Sequence, residues 1–463
     1  MRYDWAENIL SELTDEITVG FVGSMIHEYV DSGIPFLRSK NISNYEVIWD
    51  DIKYVSSEFH KKIKKSVLRP GDVAVVRTGK PGTSCVIPDE LPEANCSDLV
   101  IVRVNTHKLC PYFLCYYLNS IAVHQVNSQL VGAVQQHFNV ASAKNLKIKL
   151  PSLVIQKKIS HIFQCIDSKI KLNKKINQTL EKMAQALFKS WFVDFEPVKA
   201  KMAVLGAGGS QEDATLAAMT AISGKDADAL MVFEREYPDQ YAELKATAEL
   251  FPSAIYESEL GDIPEGWNLG PLSNIAIFAN GKVDVSSLTA ETYVSTENML
   301  ENRAGISTAT SLPSVNSIPS FRSGHVLISN IRPYFKKIWL ARYSGGRSAD
   351  VLAFEARDAV TVEYIYNLLY QESFFDFMML TSKGVKMPRG DKTAIMGWQC
   401  IFPDKKISDA FSKAVGKYYS FIEINNTQNK TLTQFRDTLL PKLLSGEITL
   451  PEAEQAVKEV EHV

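Results

Sequence analysis

The chain has 463 residues, of which 45% are hydrophobic and 22% are charged, and these ordinary values exclude a disordered or fibrous protein. At roughly 100–200 residues per domain, the length predicts two to four domains. No run of about 18 apolar residues is present, which argues against a transmembrane helix, and the acidic N-terminus lacks the apolar core of a secretory signal. The six cysteines form no CxxC pair, so we expect reduced thiols and a cytoplasmic location.

The net charge of −3 is unevenly distributed along the chain. Residues 1–200 carry a net charge of +5, residues 201–260 carry −7 and residues 261–463 carry −1. An acidic middle segment therefore masks a basic N-terminal part, and the overall charge does not by itself argue against a nucleic-acid partner.

Residues 1–150 are predicted to form a first α+β module of short strands. Gly71–Arg77 reads as a turn followed by a strand, and Leu99–Val104 is an apolar run of strand length. Tyr112–Leu118 has a helical pattern.

Residues 151–200 are predicted to contain a long helix. Apolar residues recur in steps of three and four, which is typical of a coiled-coil seam. The predicted seam positions are Ile155, Ile159, Ile162, Ile166, Ile170, Asn173, Ile176, Leu180, Met183 and Leu187.

Residues 201–265 are interpreted as an acidic linker or insert. The segment opens with Gly and Ser, contains one or two short helical patterns, and closes with Gly261, Pro264 and Gly266.

Residues 266–403 repeat the first module, residues 404–446 repeat the long helix, and residues 447–463 form a C-terminal tail. From Asp98 onward the match holds without a gap at an offset of 252 residues, which pairs Asp98 with Asp350 and Asn173 with Asn425. Nearer the start the offset drifts to 253, which pairs Gly71 with Gly324, and to 257, which pairs Asn41 with Asn298. The second seam is predicted at Ile407, Phe411, Ala414, Tyr418, Ile422, Asn425, Gln428, Leu432, Phe435 and Leu439.

Because the two seams use matching positions, we expect the two helices to pack antiparallel about a pseudo-twofold axis. Asn173 and Asn425 fall at the equivalent polar position, where one buried polar residue typically sets register. A helix of roughly 35 residues spans about 50 Å, so the pair would hold the two modules apart, a geometry suited to two separated half-sites. Two separate amphipathic helices, each packed on its own module, are the alternative.

The residues give no sign of an active site. The glycine cluster at 206–209 follows no convincing strand, and neither a P-loop nor the Asn/Asp-Pro-Pro-aromatic motif of an amino-methyltransferase occurs. The eight histidines lack metal-ligand spacing. Asp194 and Glu196 have the wrong spacing to Lys199 for a nuclease and are interpreted as structural.

Several loops combine basic, amide and aromatic side chains, as nucleic-acid contacts do. Arg and Lys bind guanine edges, Asn and Gln bind adenine, and basic side chains also anchor phosphates. A solvated surface turn is an equal interpretation for any single loop, and His137 can also be an ordinary partly buried histidine. The candidates are Arg38, Lys40, Asn41, Arg77, Thr78, Lys80, Gln135, Gln136, His137, Arg332, Tyr334, Lys336, Lys386, Arg389 and Lys392.

Residues 150–202 closely resemble the central conserved region of type I restriction–modification specificity subunits, and Leu187–Phe195 is the most specific part. Residues 258–276 look like the segment that leads into the second target-recognition domain, and Asn429–Ile448 resembles the distal conserved region. The resemblance covers nearly the whole chain, although the first module lacks a clear counterpart of Gly261–Gly266.

The resemblance implies an α+β fold of two similar target-recognition domains joined by two long antiparallel coiled-coil helices. It implies a non-catalytic subunit of a phage-defence system that binds a bipartite sequence in double-stranded DNA. The partners would be two modification subunits, which methylate adenine, and restriction subunits, which cleave DNA. S-adenosylmethionine, ATP and Mg are then expected only on the partners, with no cofactor and no metal on this chain.

The resemblance also makes the aromatic end of the first long helix a candidate docking surface. An intramolecular core at the helix end is the alternative for these side chains. They are Phe188, Trp191, Phe192 and Phe195.

Three other functions are weighed against this one. A fused restriction enzyme needs nuclease and methyltransferase motifs that the sequence lacks. A specificity subunit of a type II-like system and an interaction scaffold that binds no DNA remain open.

Overall fold

The chain folds around separate hydrophobic cores in the computed structural model, which describes residues 5–128, 137–258 and 261–461, without the side chains of residues 457–461. Two compact units are present. Unit 1 takes in Met1–Lys174 and Asn426–Val463, and unit 2 takes in Lys175–Asn425. Each unit therefore combines one predicted module with part of both predicted long helices.

Unit 1 contains the first module, a set of short strands. They are β1 (Ala6–Ile9), β2 (Thr14–Val19), β3 (Tyr29–Val30), β4 (Ile34–Leu37), β5 (Ile42–Ser43), β6 (Glu46–Val47), β7 (Lys53–Val55), β8 (Val67–Leu68), β9 (Val73–Val76), β10 (Ser84–Val86), β11 (Ala94–Cys96), β12 (Leu99–Val104) and β13 (Lys147–Leu150). The helices between them are α1 (Ser57–Lys62), α2 (Pro111–Leu118), α3 (Val123–Ser128) and α4 (Val140–Lys144).

The strands of unit 1 form a four-stranded sheet in the order β10-β9-β12-β2 and a five-stranded sheet in the order β3-β7-β4-β11-β8. Two smaller sheets pair β1 with β13 and β5 with β6. Strand β9 lies inside its sheet, and all four of its residues are buried. A run of apolar, mostly β-branched residues suits a strand that is covered on both faces.

A long helix, α5 (Leu153–Phe192), leaves the first module and is followed by four shorter helices. These are α6 (Glu196–Gly206), α7 (Gln211–Ser223), α8 (Ala227–Glu236) and α9 (Pro238–Leu250). Ala218, Met219, Leu230 and Ala248 form a small apolar cluster among them. The segment interpreted as an acidic linker is thus a folded helical insert, which corrects the prediction of one or two short helical patterns.

Unit 2 contains the second module, whose strands follow the insert. They are β14 (Ile255–Ser258), β15 (Gly261–Pro264), β16 (Asn268–Pro271), β17 (Ala276–Phe278), β18 (Lys282–Asp284), β19 (Tyr293–Val294), β20 (Ser317–Phe321), β21 (Val326–Ser329), β22 (Ile338–Leu340), β23 (Gly345–Arg347), β24 (Val351–Ala356) and β25 (Gln399–Phe402). The helices of this module are α10 (Val362–Leu369), α11 (Glu372–Leu380) and α12 (Lys392–Met396).

The sheets of unit 2 repeat the plan of unit 1. The order β17-β24-β21-β22 matches β2-β12-β9-β10, and β16 pairs with β25 as β1 pairs with β13. Strand β21 is buried at all four residues, as β9 is. The structure also places the first strand of the first module, at Ala6–Ile9, where the sequence offered no counterpart of Gly261–Gly266.

The second long helix is α13 (Lys405–Leu444), and α14 (Leu450–Glu461) follows it within the predicted tail. In unit 1, Nδ2 of Asn173 donates to Oε1 of Gln428 at 2.8 Å and to Oδ1 of Asn429 at 3.0 Å. In unit 2, Nδ2 of Asn425 donates to Oδ1 of Asn177 at 2.8 Å. Both predicted seam asparagines are buried between the helices, and their role in setting register stays a prediction.

The two long helices are antiparallel within each unit. In unit 1, Asp167 of α5 pairs with Arg436 of α13 at 2.8 Å, six residues before and eight residues after the Asn173–Gln428 contact. In unit 2, the rings of Phe188 and Phe411 are 5.7 Å apart. Phe188 follows Asn177 on α5, whereas Phe411 precedes Asn425 on α13, so the two helices run in opposite directions. The α+β class and the antiparallel helix segments are therefore confirmed.

The predicted seam is correct in the first half of α5 and wrong near its end. Ile159, Ile166 and Ile170 are buried, but Met183 is 46% exposed and Ala184 is buried instead. In α13 the buried residues include Val415 and Tyr419, one position after the predicted Ala414 and Tyr418. An α-helix drifts relative to a strict 3.5-residue repeat, so a seam extrapolated over several turns slips by one residue.

Three general properties bear on function. No described helix is both long and apolar enough to cross a membrane. Within the described ranges, no group of three or more His, Cys, Asp or Glu side chains is placed to hold a metal ion. All six cysteines are free thiols, and Cys165 is the exposed one.

Candidate nucleic-acid interface

Asp98 joins the predicted loops of unit 1. It follows β11 in the left-handed region, with φ of 57°. Its carboxylate accepts a hydrogen bond from Oγ of Ser39 at 2.7 Å and another from Oγ1 of Thr78. Its carbonyl accepts from the backbone N–H of Arg77 at 3.2 Å, and the carbonyl of Arg77 accepts from the N–H of Phe138 at 3.0 Å. Loops at 38–41, 77–80 and 137–138 therefore lie together.

A second carboxylate, Asp51, gathers the basic side chains of this cluster. Nη2 of Arg38 lies 3.1 Å from Oδ2 of Asp51, Nζ of Lys53 lies 2.8 Å from Oδ1, and Lys40 pairs with the same group. Hydrogen bonds from Lys40, Lys53 and Arg38 hold the pKa of Asp51 far below its usual range. Three cations around one half-exposed carboxylate leave a positive surface that can accept a phosphate.

Asn41 does not belong to that surface. It is fully buried, its Oδ1 accepts from the N–H of Arg38 at 3.1 Å, and its Nδ2 donates to the carbonyls of Ile48 and Asp50 at 3.2 and 3.0 Å. Its amide is fully used in holding the loop, so the prediction that Asn41 reads a base edge is wrong.

Unit 2 repeats this use of a buried asparagine. Oδ1 of Asn298 accepts from the N–H of Ser295 at 2.6 Å, and its Nδ2 donates to the carbonyls of Tyr293 and Ser307 at 3.0 and 2.8 Å. Asn41 and Asn298 were matched by the sequence repeat, and the structure gives the match a folding cause.

The predicted loops of unit 2 are joined by backbone hydrogen bonds. The N–H of Asn330 donates to the carbonyl of Asp350 at 2.8 Å, and the N–H of Gly390 donates to the carbonyl of Asn330 at 3.1 Å. The N–H of Arg332 donates to the carbonyl of Pro388 at 2.8 Å. Arg389 reaches back to Asp350, with Nη2 2.9 Å from Oδ1.

These contacts are equivalent in the two units. Arg77 and Asn330 are at matching positions after β9 and β21, and each donates its N–H to the carbonyl of the matching Asp98 or Asp350. Each also accepts from the matching third loop, at Phe138 or Gly390. The same backbone frame thus presents different side chains in each unit.

The remaining candidates differ in how free they are. Lys80, Lys386 and Lys392 are exposed and Tyr334 is 46% exposed, whereas Nζ of Lys336 is paired with Oε2 of Glu372 at 2.5 Å. His137 is half-buried. Gln135 and Gln136 lie outside the described residues.

Three arginines of the candidate loops, two in unit 1 and one in unit 2, share an unusual feature. Their Nε atoms are shielded from solvent and, among the described residues, have no hydrogen-bond partner. A buried donor without a partner is costly, although the guanidinium of Arg38 is itself held through Nη2 by Asp51 at 3.1 Å. The three are Arg38, Arg77 and Arg332.

The aromatic end of α5 is core and not a docking surface. Phe188, Trp191, Phe192 and Phe195 are between 1% and 6% exposed. Phe192 packs on Tyr364 and Trp267 with ring centroids 4.9 and 5.7 Å apart, and Trp191 packs on Phe251 at 5.1 Å. The docking prediction is therefore wrong, and the alternative of an intramolecular core holds. The second module and the insert supply the packing partners of these rings, and that packing is not visible from the helix alone.

Sequence reasoning also missed the acidic organisers. Asp98 and Asp350 were found only as a repeat match, and Asp51 was not singled out. A short acidic residue shared by two repeats at a strand end is the signal that could have found the first two, because such residues often bind neighbouring backbone N–H groups or hydroxyls.

Residues 24–182 match the family model described as Type I restriction modification DNA specificity domain. The chain is 28% identical to the type I restriction enzyme HindI specificity subunit of Haemophilus influenzae, over 96% of this chain and all of that protein. The chain is therefore similar to type I restriction–modification specificity subunits over nearly its whole length, and residues 24–182 match their DNA specificity domain. This confirms the resemblance found in the sequence, and the relatives' naming as specificity subunits agrees with the prediction that the chain is not itself an enzyme.

Two further similarities extend over nearly the full length. The MjaIX specificity subunit of Methanocaldococcus jannaschii is 21% identical over 97% of this chain and 94% of its own length. The crystal structure of the S subunit of a type I restriction–modification system from M. genitalium aligns with a TM-score of 0.48 and 13% identity, over 95% of this chain and 96% of that one.

Proposed function

We propose that the chain is the DNA specificity subunit of a type I restriction–modification complex. In this proposal each unit reads one half-site of a bipartite sequence in double-stranded DNA, and the chain itself performs no catalysis. The similarity of the chain to specificity subunits over nearly its whole length supports the role.

One observation carries the proposal: a shared backbone frame with exchanged side chains. Asp98 and Asp350 organise equivalent loops, yet His137 of unit 1 corresponds to the exposed Arg389 of unit 2, and Arg77 of unit 1 corresponds to the buried Asn330, so that unit 2 lacks this arginine. A protein that performs one task on two different base sequences needs this combination, because base identity is read by the side chain and not by the frame.

The chemistry of the loops fits duplex DNA. The exposed Lys80 and Lys386 and the 58% exposed guanidinium of Arg389 suit phosphate oxygens and guanine edges. Basic side chains that bind phosphates release the salt cations condensed on the DNA, and this release becomes less favourable as the salt concentration rises. Binding that depends on such contacts therefore weakens steeply with salt.

The partners and cofactors follow from the same proposal. Two modification subunits would supply S-adenosylmethionine and methylate adenine, and restriction subunits would supply ATP-driven cleavage with Mg, so this chain needs no cofactor and no metal. The aromatic end of α5 is not the surface that recruits them, since its side chains are buried in unit 2. A cytoplasmic location remains part of the proposal.

The deciding experiment is a methylation map of a genome that carries this gene with its modification subunit. A split recognition sequence with a constant spacer is expected, and the isolated chain should methylate nothing. Exchanging residues 1–150 for the corresponding module of a relative should change one half-site and leave the other unchanged. A change in both half-sites, or methylation by the chain alone, would overturn the proposal.

The same complex separates the other candidate functions. A scaffold that binds no DNA would give no methylation pattern and no salt-dependent affinity for random duplex DNA. A type II-like system would cleave at or near the mapped site without consuming ATP.

A further inference from the structure

A short hairpin projects from the loop cluster of unit 2. Its base is Lys383 and Arg389, each of which donates its N–H to the other's carbonyl at 2.9 Å. Gly384 starts the reversal with φ of 97°, a conformation that favours glycine. The hairpin, defined as residues 383–389, is therefore closed by a pair of backbone hydrogen bonds.

The base of the hairpin is fixed to the loop that follows β21. The N–H of Arg332 donates to the carbonyl of Pro388 at 2.8 Å. Gly390 packs closely, because a Cβ at that position would come within 2.6 Å of Oδ1 of Asn330. The tip is thus presented from the same frame as the candidate base-reading side chains.

The tip exposes apolar side chains that the fold does not use. Val385 is fully exposed and Met387 is 53% exposed, while Pro388 between tip and base is buried. Scattered surface apolar residues are common, but Val385 and Met387 lie together at the tip of a hairpin whose base belongs to the loop cluster. Neither side chain belongs to any of the hydrophobic clusters of the described residues.

Basic side chains surround this apolar tip. Nζ of Lys383 lies 2.6 Å from Oδ2 of Asp391 and remains 82% exposed, and Arg389 is 58% exposed beside Asp350. Lys386 lies on the tip itself, is exposed, and makes no ion pair within the described residues. An apolar tip ringed by cations complements a surface that has negative charge outside and flat apolar groups inside.

We propose that the tip of this hairpin enters the DNA duplex as a wedge. In this inference, which rests on the proposed function, Val385 or Met387 inserts between two neighbouring base pairs, and Lys386 contacts a flanking phosphate. Apolar side chains placed between base steps partly unstack them and bend the duplex. The half-site bound by unit 2 would then be selected partly by how easily one step unstacks, and pyrimidine–purine steps unstack most easily.

The test uses the complex of this chain with its modification subunit, in the absence of S-adenosylmethionine, on a duplex carrying the mapped sequence. The base analogue 2-aminopurine, whose fluorescence rises when it is unstacked, is placed in turn at each position of both half-sites. Val385→Ser, Met387→Ser and the double variant are compared with Met231→Ser, a control at a methionine of the insert that is 62% exposed.

We expect a rise in fluorescence of severalfold at one step in the unit 2 half-site, in addition to any signal from an adenine extruded by the modification subunit. The double variant should lose the first signal, keep the second, and bind the duplex about tenfold more weakly. The Met231→Ser control should match the unchanged protein in all three measurements.

The inference is overturned if the double variant keeps the same unstacking signal and affinity, or if no step other than the extruded adenine responds. Loss of binding to anionic lipid vesicles in the double variant, with DNA binding intact, would assign the tip to a membrane surface and also overturn it. Either result leaves the bipartite methylation map intact, whereas failure of the proposed function removes the map itself.

Discussion

Replacing Glu181 by glutamine should stabilise unit 2 at alkaline pH. Glu181 lies on α5, and among the described residues its buried Oε1 has no hydrogen-bond partner. Burial raises the pKa of Glu181 to about 7, although hydrogen bonding from Tyr366 and Gln185 and the attraction of Arg342 act in the opposite direction. The ionised carboxylate is therefore disfavoured in the folded unit.

The sign and size of the effect follow from linkage. The pKa of Glu181 in the folded chain lies above its usual 4.5, so its favourable contribution is complete below pH 4.5 and is lost as the pH rises through about 7. At about 1.4 kcal/mol for each unit of pKa, the free energy of unfolding of unit 2 falls by up to about 3 kcal/mol between pH 4.5 and pH 8. The glutamine variant carries no charge and should lack this slope.

Urea unfolding followed by tryptophan fluorescence at pH 5, 6, 7 and 8 measures the effect, because Trp191, Trp267, Trp339 and Trp398 all lie in unit 2. Glu181→Gln should gain stability at pH 8 by a few kcal/mol and match the unchanged protein near pH 5. Glu301→Gln, at an exposed glutamate of the same unit, is the control and should show the original slope. An unchanged slope in Glu181→Gln would refute the assignment of the buried charge.

Four further predictions test the assignments of the seam, the core and the reading loops. Phe188→Ala should lower the unfolding free energy of unit 2 by about 3–5 kcal/mol. The control Val193→Ala, at a residue 47% exposed, should change it by less than about 0.5 kcal/mol. If urea titrations gave similarly small losses for both variants, Phe188 would not be a core residue and the docking interpretation would stand again. Asn173→Ala leaves Gln428 and Asn429 without their partner and should cost unit 1 about 1–3 kcal/mol, against no measurable cost for the exposed Lys171→Ala. Arg389→Ala should weaken the discrimination against wrong bases in one half-site by about 1–3 kcal/mol, which the methylation map would show as additional methylated sequences. In contrast, Asn41→Ala should lower the stability of unit 1 and leave the methylated sequence unchanged. A changed sequence would show that Asn41 contacts a base.

The long helices were predictable because their signal is local and repeated. The sequence placed them within residues 151–200 and 404–446, and the structure gives Leu153–Phe192 and Lys405–Leu444. The helices of the insert also had readable signals. Ser210 and Asp213 form a capping box, and Gly224 ends the helix that they start.

Burial in a loop was not predictable in the same way. Asn41 and Arg38 lie three residues apart and both have side chains that can contact a base edge, yet Asn41 is fully buried and Arg38 keeps a partly exposed guanidinium. The difference depends on which carbonyls the rest of the loop brings to the amide, and those carbonyls belong to residues 48 and 50. From the sequence alone, both side chains are able to contact a base edge.

A buried polar contact shows why the two modules match in pattern more than in residues. In unit 1, Asp72 precedes β9 and lies opposite Arg103 of β12, with Oδ1 3.5 Å from Nε. In unit 2, His325 precedes β21 and lies opposite Glu355 of β24, with Nε2 3.6 Å from Oε2. The acid and the base have exchanged strands.

The exchange has an electrostatic consequence. Asp72 also accepts a hydrogen bond from the backbone N–H of Arg69 at 3.0 Å, and His325 accepts one from the N–H of Arg322 at 3.2 Å. Burial raises the pKa of Asp72 and lowers that of His325, so each buried group depends on its cross-strand partner. A single exchange such as Asp72→His would place two bases together, because Arg103 would remain. The two modules can therefore keep one backbone frame only if both members of such a pair change together. Exchanging a whole module keeps each pair intact, whereas exchanging a single residue breaks it.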